Sequence, residues 1–287
     1  MRVSTTIFGV DATTSATLAI AAEQAGFDAV WLTDHVLTPL SYDPAYPYAP
    51  SGRPGYPPTT PLPDALVLIG HIAARTTSIA LGTGVLVMPL RHPLLLAQAV
   101  RTLVELTDDR LRLGVGTGWM REEFDVLGQQ FEGRGARTDE MLDILMQALD
   151  GEVIEHTGEF YRIGQIRLGG VPLQPPQMIF GGTAAPALER AARRGDGWFA
   201  PPGLTVDEVV RLRADIEMRR RRAGRGELFR HYVRVPGLPD AQLLEQLATE
   251  GFDDIVVSLP RRQDGTVDPL EATDHFMAVS KRIRSIR

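Results

Sequence analysis

The sequence predicts a closed (β/α)8 barrel of the TIM type, and two observations carry that prediction. Eight strand-like segments alternate with helical ones along 287 residues, which is the signature of a parallel sheet covered by helices. No linker divides the series, and barrels routinely reach this length as one unit. The chain is therefore expected to form a single barrel domain over residues 1–287.

Taken in order, Val3 to Val10 reads as the first strand, with Thr13, Thr14 or Ser15 as candidate caps of a helix running to Ala25 and Gly26 just beyond it. Asp28 to His35 (DAVWLTDH) is the second strand. Residues 36–63 are rich in Pro, Tyr and Gly and lack any period, so they are expected to form an irregular loop over the barrel mouth. Asp64 to Arg75 is helical by apolar spacing, and Ile79 to Met88 (IALGTGVLVM) is a third strand whose internal glycines suggest a bulge. His92-Pro93 opens the next helix. Leu111 to Leu149 then runs from a fourth strand through the glycine turn GVGTGW into a helix from about Arg134. Glu152 to Leu168 reads as a short hairpin and Gln177 to Gly182 as the fifth strand, followed by a helix from Ala184 to Arg194. GDGWFAPP is the sixth strand, Thr205 to Arg222 a basic amphipathic helix, and Leu228 to Val235 the seventh strand. A helix from Asp240 to Glu250, the eighth strand Asp254 to Leu259 and a helix from Leu270 to Ile286 complete the series.

Composition excludes several functions. The net charge of −6 leaves no basic surplus to neutralise phosphates, so nucleic acid and anionic membrane are not expected partners. There are no cysteines, which rules out thiolate chemistry, iron–sulfur clusters and Cys-based zinc sites. Lys281 is the only lysine and lies in the last helical segment, so a Schiff-base aldolase lacks a plausible nucleophile. The N-terminus has no long apolar region and no run reaches membrane-span length, which points to a cytoplasmic protein.

In a barrel of this kind, function sits at the C-terminal ends of the strands. That rule selects Asp34 and His35, Gly84 and Val85, Gly116 to Trp119, Gly181 to Thr183, and Trp198 to Pro202. A histidine beside a carboxylate can move a proton, orient a hydride acceptor or bind a metal. The other histidines lack metal-ligand spacing, so no metal site is expected. GVGTGW is not G-x-G-x-x-G and falls on the fourth strand. It reads either as a tight strand-to-helix turn or as a ligand rim of bare backbone. Gly181-Gly182-Thr183, at the start of a helix, is the better phosphate candidate.

These residues together resemble the luciferase-like monooxygenase family, in particular its branch of predicted oxidoreductases that use the deazaflavin coenzyme F-420. The resemblance rests on VWLTDH at 30–35, IALGTGVLVMPLRHPLLLAQ at 79–98, LRLGVGTGWMREEFDVLGQQFEGRG at 111–135, GGTAAPALERAARRGDGW at 181–198 and GFDDIVVSLP at 251–260. It implies a barrel of the bacterial luciferase-like type whose mouth binds F-420 or, alternatively, FMN, with the phosphate near Gly181, Gly182 and Thr183. It implies a non-proline cis peptide at Gly84-Val85 pressing the backbone toward the ring, Asp34 on the ring's polar edge, and Gly116 and Thr117 along the ring or its side chain. His35 would be the catalytic residue, near the carbon that gives or accepts hydride. Sugar-phosphate dehydrogenases of the family carry a Glu where this chain has Trp119, and a Trp where it has Pro39. Both departures argue against sugar-phosphate oxidation and leave a small apolar or conjugated substrate beside Trp119 and Trp198. An FMN-dependent monooxygenase and a non-catalytic flavin-binding protein are the alternatives. A homodimer is compatible with the resemblance.

Overall fold

Period-2 alternation decides which strand residues face the barrel axis and which face the helices. The computed structural model describes residues 1–41, 46, 52, 55–235, 237–262 and 264–285. In chain order these form β1 (Arg2–Ile7), α1 (Ala12–Gln24), β2 (Ala29–Leu32), α2 (Ala65–Ala73), β3 (Ala80–Thr83), β4 (Leu86–Val87) and α3 (Pro93–Thr107). Next come β5 (Leu111–Gly116), α4 (Arg121–Val126), α5 (Arg134–Leu149) and a hairpin of β6 (Ile154–Thr157) and β7 (Arg162–Ile166). The chain ends with β8 (Gln177–Gly181), α6 (Ala185–Arg194), β9 (Gly197–Phe199), α7 (Val206–Arg222), β10 (Arg230–Val235), α8 (Ala241–Thr249), β11 (Asp254–Ser258) and α9 (Pro269–Arg284).

The strands pair in the order β3-β2-β1-β11-β10-β9-β8-β5-β4, and a further β3–β5 pairing closes the ring. β3 and β4 are halves of one barrel strand, separated at Gly84-Val85, a cis peptide bond as the resemblance implies. Nine segments therefore fill the eight barrel positions that the sequence predicts. Barrel neighbours are parallel, as in the register Thr6↔Ser258 between β1 and β11, whereas β6 and β7 are antiparallel.

Alternation sorts the interior into layers. At the N-terminal end of the barrel, Arg2 grips Asp254 at 2.6 and 2.8 Å, and Arg230 reaches the same carboxylate at 3.3 Å. Above this plug, Trp31, Ile179, Phe199, Tyr232 and Val256 pack together, with the Trp31 indole donating to the Ser4 hydroxyl at 3.0 Å. Their outward neighbours on the same strands, among them Val30, Trp198, Val233 and Val257, join the larger core between sheet and helices.

Some local expectations are corrected. The cap of α1 is Asp11, which accepts from Thr14 N–H; a carboxylate one turn earlier outcompetes Thr13, Thr14 and Ser15. The turn after β5 contains the short helix α4, absent from the sequence reading. His35 lies three residues beyond the end of β2 rather than within the strand. Of the loop expected at 36–63, residues 42–45, 47–51, 53 and 54 lie outside the described residues, and the rest has no helix or strand. No helix among the described residues is long and apolar enough to cross a membrane.

One buried histidine ties stability to pH. His231 faces the helix layer, ringed by Trp198, Phe229 and Phe252, and its Nε2 has no hydrogen-bond partner among the described residues. Burial, with Arg213 and Arg220 adding to it and Asp254 opposing, lowers its pKa from 6.5 to about 4. Above pH 6.5 both folded and unfolded states hold it neutral. Below that, the unfolded chain takes up the proton first, so stability falls with pH until the folded state also protonates near pH 4. Urea midpoints should record a loss of up to about 3 kcal/mol from this group, and His231→Leu should remove that portion of the pH dependence.

Candidate active site

The site is built on a close approach of backbones at the C-terminal ends of β4, β5 and β8. A Cβ on Gly114 would lie 1.8 Å from the Thr83 carbonyl oxygen, one on Gly116 would lie 2.6 Å from Val85 Cγ2, and one on Gly181 would lie 3.1 Å from Val85 Cγ1. Gly114 and Gly116 therefore admit the neighbouring strand and the Val85 side chain, which presses against three glycines. Gly118, at φ +80°, turns the chain away from β5.

Two buried carboxylates organise the end of β2. Asp34, 4% exposed, accepts from Arg91 at 2.7 Å on each oxygen and from Val87 N–H at 2.8 Å. Its charge is thus balanced and its position fixed to β4 before any ligand enters. Glu123, 1% exposed, comes from α4. Its Oε1 accepts from Val36 N–H at 2.7 Å and its Oε2 lies 3.0 Å from His35 Nδ1. An ionised carboxylate only accepts, so Nδ1 carries the hydrogen and Nε2 is the ring nitrogen left for chemistry.

A cavity of ≈510 Å³ opens at this mouth, within the roughly 300–1,000 Å³ typical of small-molecule sites. It gathers every residue selected at the strand ends except Trp198 and Ala200. Trp198 is fully buried on the outer face of β9, where its indole donates to the Gly182 carbonyl at 2.8 Å and so supports the Gly181-Gly182-Thr183 turn from behind. Its neighbour Phe199 points inward and lines the cavity. Trp119 also lines it, packed edge-on to His35 at 5.9 Å and to Tyr46 at 4.9 Å. Burial raises the Tyr46 pKa, with the charge of Arg234 opposing.

Sequence reasoning missed Glu123, Arg91 and the arginines of the cavity, and within the stretch from Trp198 to Pro202 it chose Trp198 over Phe199 as the pocket aromatic. The signal for Phe199 and Arg234 was strand parity, since inward-facing Tyr232 shares a face with Arg234. Glu123 and Arg91 have no comparable local signal, being 88 and 57 residues from His35 and Asp34. Arg134, Arg234 and Arg261 all line the cavity. Burial, with nearby Arg121, lowers the Arg134 pKa, and burial lowers that of Arg261. Among the described residues no group of three or more His, Asp or Glu side chains could hold a metal ion.

The profile of the luciferase-like monooxygenase family matches residues 5–269. An uncharacterized protein of Mycobacterium tuberculosis is 34% identical over 257 residues, 88% of each chain. The F420-dependent glucose-6-phosphate dehydrogenase of Nakamurella multipartita is 32% identical over 215 residues, 72% of this chain and 59% of that one. In three dimensions the chain is similar to the coenzyme F420-dependent tetrahydromethanopterin reductase of Methanopyrus kandleri, with a TM-score of 0.76 at 16% identity, covering 100% of this chain and 99% of the other. At that identity the likeness concerns the fold.

Removal of the Glu123 carboxylate tests its part in the architecture. Glu123→Ala should cost roughly 1–3 kcal/mol for each group left without an acceptor, read from chemical denaturation.

Proposed function

The chain belongs to the luciferase-like monooxygenase family, and we propose that within it the protein is an F-420-dependent oxidoreductase that transfers hydride to or from a small organic substrate. The observation that carries this reading is the His35–Glu123 pair at a cavity rimmed by bare backbone. Relatives named for F420 dependence support the choice of cofactor.

The residues present fit a flat tricyclic ring. Gly116, Gly181 and Gly182 line the cavity without side chains of their own around the Gly84-Val85 bulge, so a planar group would meet backbone and the Val85 side chain on that side. Thr183 and Ala184 line the cavity just ahead of α6, whose N-terminus has no side-chain cap; the N–H of Ala185, ahead of Pro186, would suit a phosphate. Asp34 also lines the cavity, its oxygens already held by Val87 N–H and Arg91, and would meet the ring's polar edge as an oriented, charge-balanced carboxylate.

When bound, the deazaflavin supplies a two-electron hydride donor or acceptor. His35 does the accompanying proton work: Nε2 takes the hydroxyl proton of an alcohol as its carbon loses hydride, or gives a proton to a carbonyl oxygen as its carbon gains hydride. Glu123 keeps the ring oriented and balances the imidazolium that forms. Trp119, Tyr46 and Phe199 exclude water from the reacting atoms.

Titration of the purified protein with F-420 and with FMN, followed by deazaflavin fluorescence and flavin absorbance, tests the reading. F-420 should bind, and a panel of small alcohols, ketones and enones should reveal turnover. FMN binding with no response to F-420 overturns the cofactor assignment. His35→Ala should lower turnover by about 10²–10⁴-fold with F-420 affinity unchanged; unchanged turnover would return His35 to a structural role.

A further inference from the structure

Arg91 is not part of the cavity wall, yet its guanidinium grips a carboxylate that is. Nη1 donates to Asp34 Oδ2 and Nη2 to Asp34 Oδ1, each at 2.7 Å, a paired geometry open to arginine and not to lysine. Both side chains are largely withdrawn from water, at 18% and 2% exposure. The segment that carries Arg91 has little freedom either. Met88–Leu90 forms a buried 3-10 turn after β4, closed by Arg91 N–H donating to the Met88 carbonyl at 3.0 Å, and Pro93 opens α3 just beyond it.

The acceptor count at Asp34 shows which oxygen is left for a ligand. An ionised carboxylate offers about four lone-pair sites, two on each oxygen. Oδ2 accepts from Val87 N–H at 2.8 Å and from Arg91, so both of its sites are filled. Oδ1 accepts from Arg91 alone among the described residues. The open acceptor site is therefore on Oδ1, in a buried side chain that lines the cavity. Two bonds from one rigid fork also fix the plane of the carboxylate, where a single bond would leave it free to turn.

Arg91 has a second carboxylate within reach. Its Nη2 lies 3.4 Å from Asp64 Oδ2, while Asp64 Oδ1 caps α2 by accepting from the N–H groups of Leu66 and Val67 at 2.9 Å. Asp34 and Asp64 stand on either side of the irregular stretch 36–63, so one cation joins its two ends. The Asp64 side chain is 48% exposed, and water screens that contact far more than the one to Asp34.

We propose that Arg91 is a positioning residue for the cofactor: it acts through Asp34, holding Oδ1 where it accepts from an N–H on the ring's polar edge, and does not touch the cofactor itself. This rests on reading the cavity as the F-420 site. The fork, and not positive charge alone, sets the position, because a lysine ammonium would give Asp34 a counter-charge without fixing its plane.

A double-variant cycle on F-420 binding, read by deazaflavin fluorescence, tests the assignment. Asp34→Asn and Arg91→Gln should each weaken F-420 about tenfold, the worth of a hydrogen bond to a charged group. Together they should weaken it no more than Asp34→Asn alone, to within about twofold. Losses that multiply in the double variant would mean that Arg91 serves the site independently of Asp34, and they overturn the proposal. Arg91→Lys should also bind F-420 about tenfold more weakly; wild-type affinity there shows that charge suffices and returns Arg91 to a structural role, whatever the variant's melting temperature. Asp64→Asn should change affinity less than about threefold, and a loss as large as that of Arg91→Gln would assign the effect to the start of α2 and overturn the role given to Asp34. If Arg91→Gln does not fold, Arg91→Lys with and without Asp34→Asn supplies the same cycle. A wild type that fails to bind F-420 removes the cofactor reading and this proposal with it, whereas a wild type that binds and shows multiplied losses contradicts only the role of Arg91.

Discussion

A single buried carboxylate, that of Glu123, determines how the mouth of this barrel is arranged. It accepts from His35 Nδ1 and from Val36 N–H, so it fixes both the side chain and the backbone where the chain leaves β2. Because α4 carries it, the helix that follows β5 is locked to the end of a strand two barrel positions away. The pair sits in a low-dielectric site where hydrogen bonds to a charge are strong and an unmet acceptor is costly. His35 is therefore oriented in advance, as the proposed proton transfer requires.

The second constraint is backbone crowding. β5 and β8 can approach the Gly84-Val85 bulge only because residues 114, 116 and 181 lack side chains. That packing leaves one wall of the cavity formed by backbone and the Val85 side chain. Asp34 contributes as a carboxylate already held by Arg91 and Val87 rather than as a bare charge.

The fold was legible in the sequence because its signals are periodic: apolar residues repeat every second position in strands and near 3.6 in helices, and the eight-fold alternation admits few topologies. The site was legible in outline because barrel function follows strand ends, which selected Asp34, His35, Gly116 and Gly181. Parity separated Trp198 from Phe199, and a reading that counted aromatics without assigning faces took the outward one. Glu123 was hidden because α4 spans six residues, too few for a period, and its partner is distant in sequence. The same holds for Arg91. What makes Gly114 and Gly116 necessary is a neighbouring strand, which the local pattern cannot distinguish from a ligand.

That Glu123 holds His35 with Nε2 available to the substrate is tested most directly by nitrogen-15 NMR of the imidazole. Spectra of neutral His35 should show Nδ1 carrying the proton and Nε2 bare, with the ordering lost in Glu123→Ala, which leaves Nδ1 no acceptor on that side chain. A neutral ring protonated at Nε2, or a spectrum unchanged by that substitution, would contradict it.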